Sequence, residues 1–192
     1  MTTTLETPTD LTGKILIAMP GMGDPRFDRS VIYLCAHSSD GAMGLIVNKP
    51  ADQVNLKKLM KQLDINVNIN LGEQRAYIGG PVEASRGFVL HSADYRSAVN
   101  TVQVKTGFRM TATLDILESI GAGSGPSKSL IALGYSGWGA GQLESEITRN
   151  AWLTCDATQD LVFDAPDLEK WDKAMASLGI NPLLLSSQAG HA

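Results

Sequence analysis

Four residue types in this chain could do chemistry: a serine in a glycine-rich turn, two strand-end histidines, an arginine after a Gly-Gly-Pro turn, and the glycines themselves. Ser136 sits in Gly134-Tyr135-Ser136-Gly137-Trp138-Gly139. A nucleophile elbow needs glycine where Trp138 stands, so the motif fails at a fixed position. A hydrolase would also need a base, and His37 and His91 are the candidates outside the C-terminal tail. Each ends an apolar run and is followed by serine, so their rings would converge if the two strands were neighbours. A structural role at a strand end is the simpler assignment.

Gly134, Gly137, Gly139 and Gly141 make 134–141 the most glycine-dense segment of the chain. Set between a strand and a helix, such a loop can cradle a phosphate with backbone N–H groups. The known fingerprints match only in part: Gln142 stands where a dinucleotide motif needs glycine, and no Lys-Ser or Lys-Thr follows Gly141. Glu144 and Glu146 suit the helix dipole but compete with an anion. Close packing beside Tyr135 and Trp138 also accounts for the glycines. Arg86, in Gly79-Gly80-Pro81 to Gly87, can clamp a carboxylate or phosphate in two-pronged fashion or form an ordinary salt bridge. Asp24 and Asp28, around Arg26, read as turn-forming and capping acids. Metal spacing is absent: there is no HExxH, no CxxC and no histidine pair at helical spacing.

The elements that must position these residues are legible in outline. Lys14–Met19, Val31–His37 and Gly44–Asn48 read as strands, the last two joined as an antiparallel hairpin through Asp40-Gly41. Both hairpin strands are apolar on each face, which predicts a central position with elements packed on both sides. Asn55–Ile65 carries Leu56, Leu59, Met60 and Leu63 at helical offsets. Ala76–Ile78, Gly87–His91, Thr101–Lys105, Phe108–Thr111 and Ser129–Leu133 read as further strands, with a helix at Leu114–Ile120 ended by Gly121. Gln142–Asn150 reads as a helix, and Trp152–Cys155 and Leu161–Phe163 as edge strands. A last helix starts near Pro166, presents Leu168, Trp171, Met175 and Leu178 on one face, and stops at Gly179. This irregular alternation excludes a regular βαβ repeat and predicts an α+β domain with a mixed, largely antiparallel sheet.

Composition narrows the classes. Of 192 residues, 43% are hydrophobic and 19% charged, enough for one core of its own without disulfides or a structural metal. No apolar run is long enough for a membrane span, and the Thr-rich start lacks the features of a signal peptide. Residues 1–10 read as a flexible tail and 11–192 as a single domain in the cytoplasm. Cys35 and Cys155 read as reduced, buried thiols. The net charge of −4 hides a gradient: residues 1–110 hold 12 basic and 10 acidic side chains, and 111–192 hold 4 and 10, giving +2 and −6. The later part would repel DNA, and the cluster Lys57, Lys58 and Lys61 reads as a solvated helix face.

Five blocks in order carry a resemblance: LIAMPGMGDPRFDRSVIYL, GAMGLIVNKP, GGPVEASRGFVLHS, LGYSGWGAGQLESEI with NAWL, and the terminal SSQAGHA. From about Leu11 to Ala192 the chain resembles the AlgH/YqgE family of bacterial proteins of unknown function. The resemblance implies a compact α+β domain whose sheet is bifurcated and curls into a pseudo-barrel with packed helices. It also implies a transcriptional regulator, an assignment the family carries from a genetic association with alginate production and without a mechanism. With the acidic C-terminal part, it points to an indirect route through a protein partner or small ligand. Two alternatives stand beside it: a small-molecule or nucleotide-binding domain using loop 134–141, and a hydrolase using Ser136 with His37 or His91. The family offers no catalytic residues, cofactor or metal to carry over. Its polar motif positions His37, Asn48, Arg86, His91, Gln142 and Glu144 are candidates for one shared pocket. Ala36 stands where relatives often have glutamate, which weakens a carboxylate–histidine site. Ser136 stands where they often have alanine, which argues against a general nucleophile.

Overall fold

In residues 9–185, which the computed structural model describes, the strands and helices alternate irregularly. In chain order they are β1 (Lys14–Ala18), β2 (Val31–Ser38), β3 (Gly41–Ile46), β4 (Pro50–Asn55), α1 (Leu56–Gln62), β5 (Arg75–Ile78), β6 (Val82–Ser92), β7 (Val102–Lys105), β8 (Phe108–Thr111), α2 (Asp115–Ala122), β9 (Ser129–Gly139), α3 (Gln142–Thr148), β10 (Trp152–Asp156) and α4 (Asp167–Ser177). The terminal SSQAGHA block and most of the segment read as an N-terminal tail lie outside the described residues.

Period-two alternation decides how the first strands are used. Ile15, Ile17, Val31, Tyr33, Leu45 and Val47 face one apolar cluster, while Leu16, Ala18, Ile32, Leu34 and Ile46 face another. Both faces are buried, and the β2–β3 hairpin is central as its composition predicts. The hairpin turn is tighter than expected, with Ser38 opposite Gly41. The strands run β10-β1-β2-β3-β9-β6-β8-β7, and all these neighbours are antiparallel. The sheet curls until its ends approach: a Cβ on Gly13 would lie 2.7 Å from Lys105 Cβ, and Gln159 Nε2 donates to the Gly107 carbonyl at 3.0 Å. The result is a half-barrel, closed along that seam by side chains. Helix α4 packs on the cluster that lines the barrel; on the other face α3 covers one part and α1 with α2 another.

The sheet forks at β9. Residues Ala132 and Leu133 pair in parallel with β5, whereas Ser136 to Gly139 pair antiparallel with β3. Gly134 stands between them with φ +71°, and an added Cβ there would lie 2.5 Å from the Gly80 carbonyl oxygen. Gly79 is wedged into the fork: its carbonyl accepts from Ile46 N at 2.9 Å and Ser136 Oγ at 3.2 Å, and its N–H donates to Leu133 at 2.8 Å. Side chains at these glycines would drive three backbones apart.

Four expectations are corrected and one strand is added. Segment 134–141 is not a loop, since β9 continues to Gly139; the glycines are there because the fork brings backbones together. Helix α2 runs through Gly121 and stops at Gly123. Leu161–Phe163 lies in a π-helical turn, Asp160–Asp164, because a short apolar run has no periodicity that separates a strand from a buried turn. Helix α4 buries Lys170, Trp171, Ala174 and Met175, leaving Leu168 almost fully exposed. Hydrogen bonds to carbonyls outside the helix set that rotation: Trp171 Nε1 donates to Ala18 O at 2.9 Å, and Lys170 Nζ to Val47 O and Val162 O at 2.8 and 2.9 Å. Strand β4 has no counterpart in the sequence reading, because Pro50-Ala51-Asp52-Gln53 lacks apolar alternation.

Candidate functional site at the half-barrel mouth

A concave groove of about 750 Å³ opens between the β2–β3 hairpin and strands β6, β8 and β9. Phe88, Tyr135, Met43 and Met110 line it and also belong to or pack on the barrel's apolar cluster. The Phe88 and Tyr135 rings meet edge to face at 5.8 Å. Two thioethers beside aromatic rings give an apolar surface that can adapt its shape. Ala36, His37, Asp40, Glu83, Arg86 and Trp138 lie along the same groove. The Arg86 guanidinium sits 5.1 Å above the Phe88 ring and reaches Glu83 through one contact of 3.4 Å. Its remaining N–H donors have no acceptor among the described residues, so the fork can bind a carboxylate, sulfonate or phosphate oxygen.

His37 is held from two sides. Its Nδ1 accepts the Leu11 N–H at 3.0 Å, and its Nε2 lies 2.8 Å from Glu144 Oε1. An Nδ1 that accepts carries no proton, so Nε2 bears it and donates to the carboxylate. The His37 ring is 2% exposed and Glu144 38%. This pair corrects the expectation drawn from Ala36: the carboxylate comes from α3, 107 positions along the chain, and not from the preceding residue. The Glu144 carboxyl is held below its usual range by a backbone hydrogen bond within its own residue and by His37, against the opposing effect of burial.

The remaining candidates disperse. Asn48 clamps backbone, its Oδ1 accepting from Val31 N and its Nδ2 donating to Arg29 O, both at 2.9 Å. His91 is buried, with Nδ1 on the Ser92 carbonyl and Nε2 on Thr111 Oγ1, both at 2.9 Å. Burial holds its pKa below the ordinary histidine value. The two histidine strands are not neighbours, because β3 and β9 separate them. His91 pairs with Ser129, and His37 with Ala42, which pairs with Trp138. Those β9 positions are separated by the fork at Gly134, and each ring is bonded to different partners, so the rings do not converge. Ser136 is buried, its hydroxyl spent on Gly79. Gln142 spans Gly139 N at 3.0 Å and Glu146 Oε1 at 2.9 Å. Gly137 lines the groove, whereas Gly134 serves the fork and Gly139 and Gly141 shape the entry to α3.

A second cleft of about 800 Å³ lies across Trp138, between the loop after β1 and α3. Its organiser is Glu146, which the sequence presents only as a charge at a helix start: Oε2 accepts from Trp138 Nε1 at 2.9 Å and Trp152 Nε1 at 2.8 Å. Its spacing from Gln142 on one helix face was a usable signal; the two indoles were not. Arg26 and Arg149, at the same cleft, are bonded to Asp24 and Ser145. Among the described residues no three His, Cys, Asp or Glu side chains could hold a metal ion, and no helix is long and apolar enough to cross a membrane.

A forked, curled sheet with a mouth groove and helices on both faces defines an α+β class with several solved relatives. A model of the AlgH-like family matches residues 15–183, and the chain belongs to that family. It is 59% identical to a UPF0301 protein of Ruegeria pomeroyi over 95% of this chain and all of that one. A UPF0301 protein of Jannaschia is 58% identical, with 95% and 96% covered. The solution structure of the AlgH protein from Pseudomonas aeruginosa superposes with a TM-score of 0.78 at 46% identity, over 97% of this chain and 98% of that one. A crystal structure from Corynebacterium diphtheriae gives 0.68 at 25% identity, over 85% of each.

Proposed function

We propose that this protein is a regulatory binding module that takes a small, largely apolar ligand with an anionic group in the mouth groove, and that any effect on transcription is indirect. One observation carries this reading. Arg86 stands with unspent donors over an aromatic and thioether floor, a combination that matches an apolar body and an acidic group in one molecule. Asp40 and Glu83 on the same groove disfavour polyanions such as nucleotides. The spent hydroxyl of Ser136 and the separation of the two histidines weigh against the hydrolase alternative, and the continuation of β9 weighs against the phosphate-loop alternative.

The test uses two fluorescent probes that differ in charge: 8-anilinonaphthalene-1-sulfonate, an aromatic monoanion, and N-phenyl-1-naphthylamine, its neutral counterpart. The sulfonate is expected to bind saturably at one site. Ala36 is exposed at the groove, so Ala36→Trp fills it without touching the core and should weaken both probes. Arg86→Ala should weaken the sulfonate by about tenfold and leave the neutral amine unchanged, as expected on losing a charge-assisted hydrogen bond. Sulfonate binding that is absent, or equal in wild type and Ala36→Trp, would overturn the reading.

A further inference from the structure

We infer that His37 is a pH-sensitive latch that fastens the segment Asp10–Gly13 to the end of β2, independently of any ligand in the groove. Only a neutral ring fits the geometry at Nδ1, where the Leu11 N–H points at the nitrogen from 3.0 Å. A proton on Nδ1 would place two donors face to face and break that bond. Glu144, 2.8 Å from Nε2, would meanwhile hold the charged ring more tightly than the neutral one. Protonation therefore keeps the ring in place and frees the Leu11 amide, the tie of this segment that runs through the imidazole.

The segment's other ties do not pass through the ring, and the Leu11 carbonyl accepts from Lys14 N at 2.9 Å. The Thr12 amide bonds Asp10 Oδ1 within the segment, and Thr12 Oγ1 accepts from His37 N. Gly13 N donates to Leu34 O at 2.8 Å, which marks the hinge where β1 begins. The charged groups around the ring come from every side: Glu144 from α3, Asp10 from the segment itself, Lys105 of β7 beside Gly13, and Asp40, Glu83 and Arg86 along the groove that His37 also lines. Asp10 and Lys105 are of opposite sign, and so are Glu83 and Arg86. Glu144 is the one of these groups in direct contact with the ring. Leu11 packs against the cluster that holds Trp138 and Trp152, so loosening its amide acts on apolar packing beside the groove.

Imidazoles ordinarily change charge between about pH 5 and pH 8, which sets the two conditions to compare. In the full chain, ring nitrogen shifts should report the Nε2–H tautomer of His37 wherever the Leu11 amide is protected and the imidazolium wherever that protection is lost. Amide protection at Leu11, corrected for intrinsic exchange, should fall by about tenfold between the two conditions, as expected for one lost hydrogen bond. His37→Gln keeps a carbonyl acceptor and an N–H donor without a titratable proton, so its protection should not change with pH. A wild-type ring that stays neutral at the lower pH, or unchanged protection at Leu11, would overturn the latch. So would an equal loss of protection in His37→Gln, which would assign the release to Asp10 or another carboxylate. The ring shifts need no variant, so the inference is testable even if His37→Gln folds poorly.

Discussion

At the scale of single residues, one buried hydroxyl and one exposed carboxylate make measurable claims. The Tyr33 hydroxyl is fully buried and has no hydrogen-bond partner among the described residues, while its ring packs on Phe108 at 4.8 Å. An unmet hydroxyl costs its desolvation, so Tyr33→Phe should stabilise the fold by about 1 kcal/mol, read as a higher urea midpoint at unchanged slope. Burial also pushes the phenol well above its ordinary range and the neighbouring Cys35 thiol up to about 12, which keeps both neutral at physiological pH. Asp94 behaves in the opposite way. Hydrogen bonds from the Ser92 and Ser127 hydroxyls, with further help from the Ser127 N–H, lower its pKa to about 2. A carboxyl depressed in the folded state contributes stability above its unfolded pKa and loses it as pH falls towards the folded one. Asp94 should therefore contribute fully above about pH 4 and lose its effect by about pH 2. In Asp94→Asn the urea midpoint should depend less on pH across that window; a slope equal to wild type would contradict the assignment. The Ser92-x-Asp94 spacing was visible in the chain, but its partner Ser127 lies 33 positions further on.

At the scale of elements, the fork in β9 bears the heaviest constraint. Gly134→Ala would place a Cβ 2.5 Å from one carbonyl oxygen and 2.9 Å from another, in a backbone region L-residues avoid. The expected cost is about 3 kcal/mol or more, enough to leave little folded protein in a marginal domain. Gly141→Ala is the control: it shares the positive φ but meets nothing within 4 Å, and should cost about 1 kcal/mol. Equal costs would mean that conformation alone, and not the approach of the Gly80 turn and the β6 backbone, requires glycine there. Helix α1 and strands β1, β2, β5, β7 and β8 could be read from periodicity and turn chemistry, because each presents its pattern locally. Helix α4 could be placed but not rotated, since Lys170 looks like a solvent residue until Val47 and Val162 supply its acceptors.

At the scale of the whole molecule, the uneven charge along the chain argues against contact with DNA. The groove residues that could approach an anion amount to one arginine facing two carboxylates. Filter binding on promoter DNA is expected to show no retention at physiological salt. Retention that weakens steeply with added salt would reveal released counterions and a direct regulator, against the indirect route.

The amino-acid sequence by itself determined the α+β class, the central hairpin, the family and the polar residues worth watching. Each of these depends on local periodicity, turn chemistry or ordered motifs. The tertiary structure decided which of those residues share a site. His37, Glu144 and Arg86 gather at the mouth, while Asn48, His91 and Ser136 are absorbed by backbone and hydroxyl partners elsewhere. That sorting depends on the curl and fork of the sheet, which bring residues 107 positions apart to hydrogen-bond distance. Pairings at such separations are fixed by strand order and register, and no local pattern in a single chain encodes either.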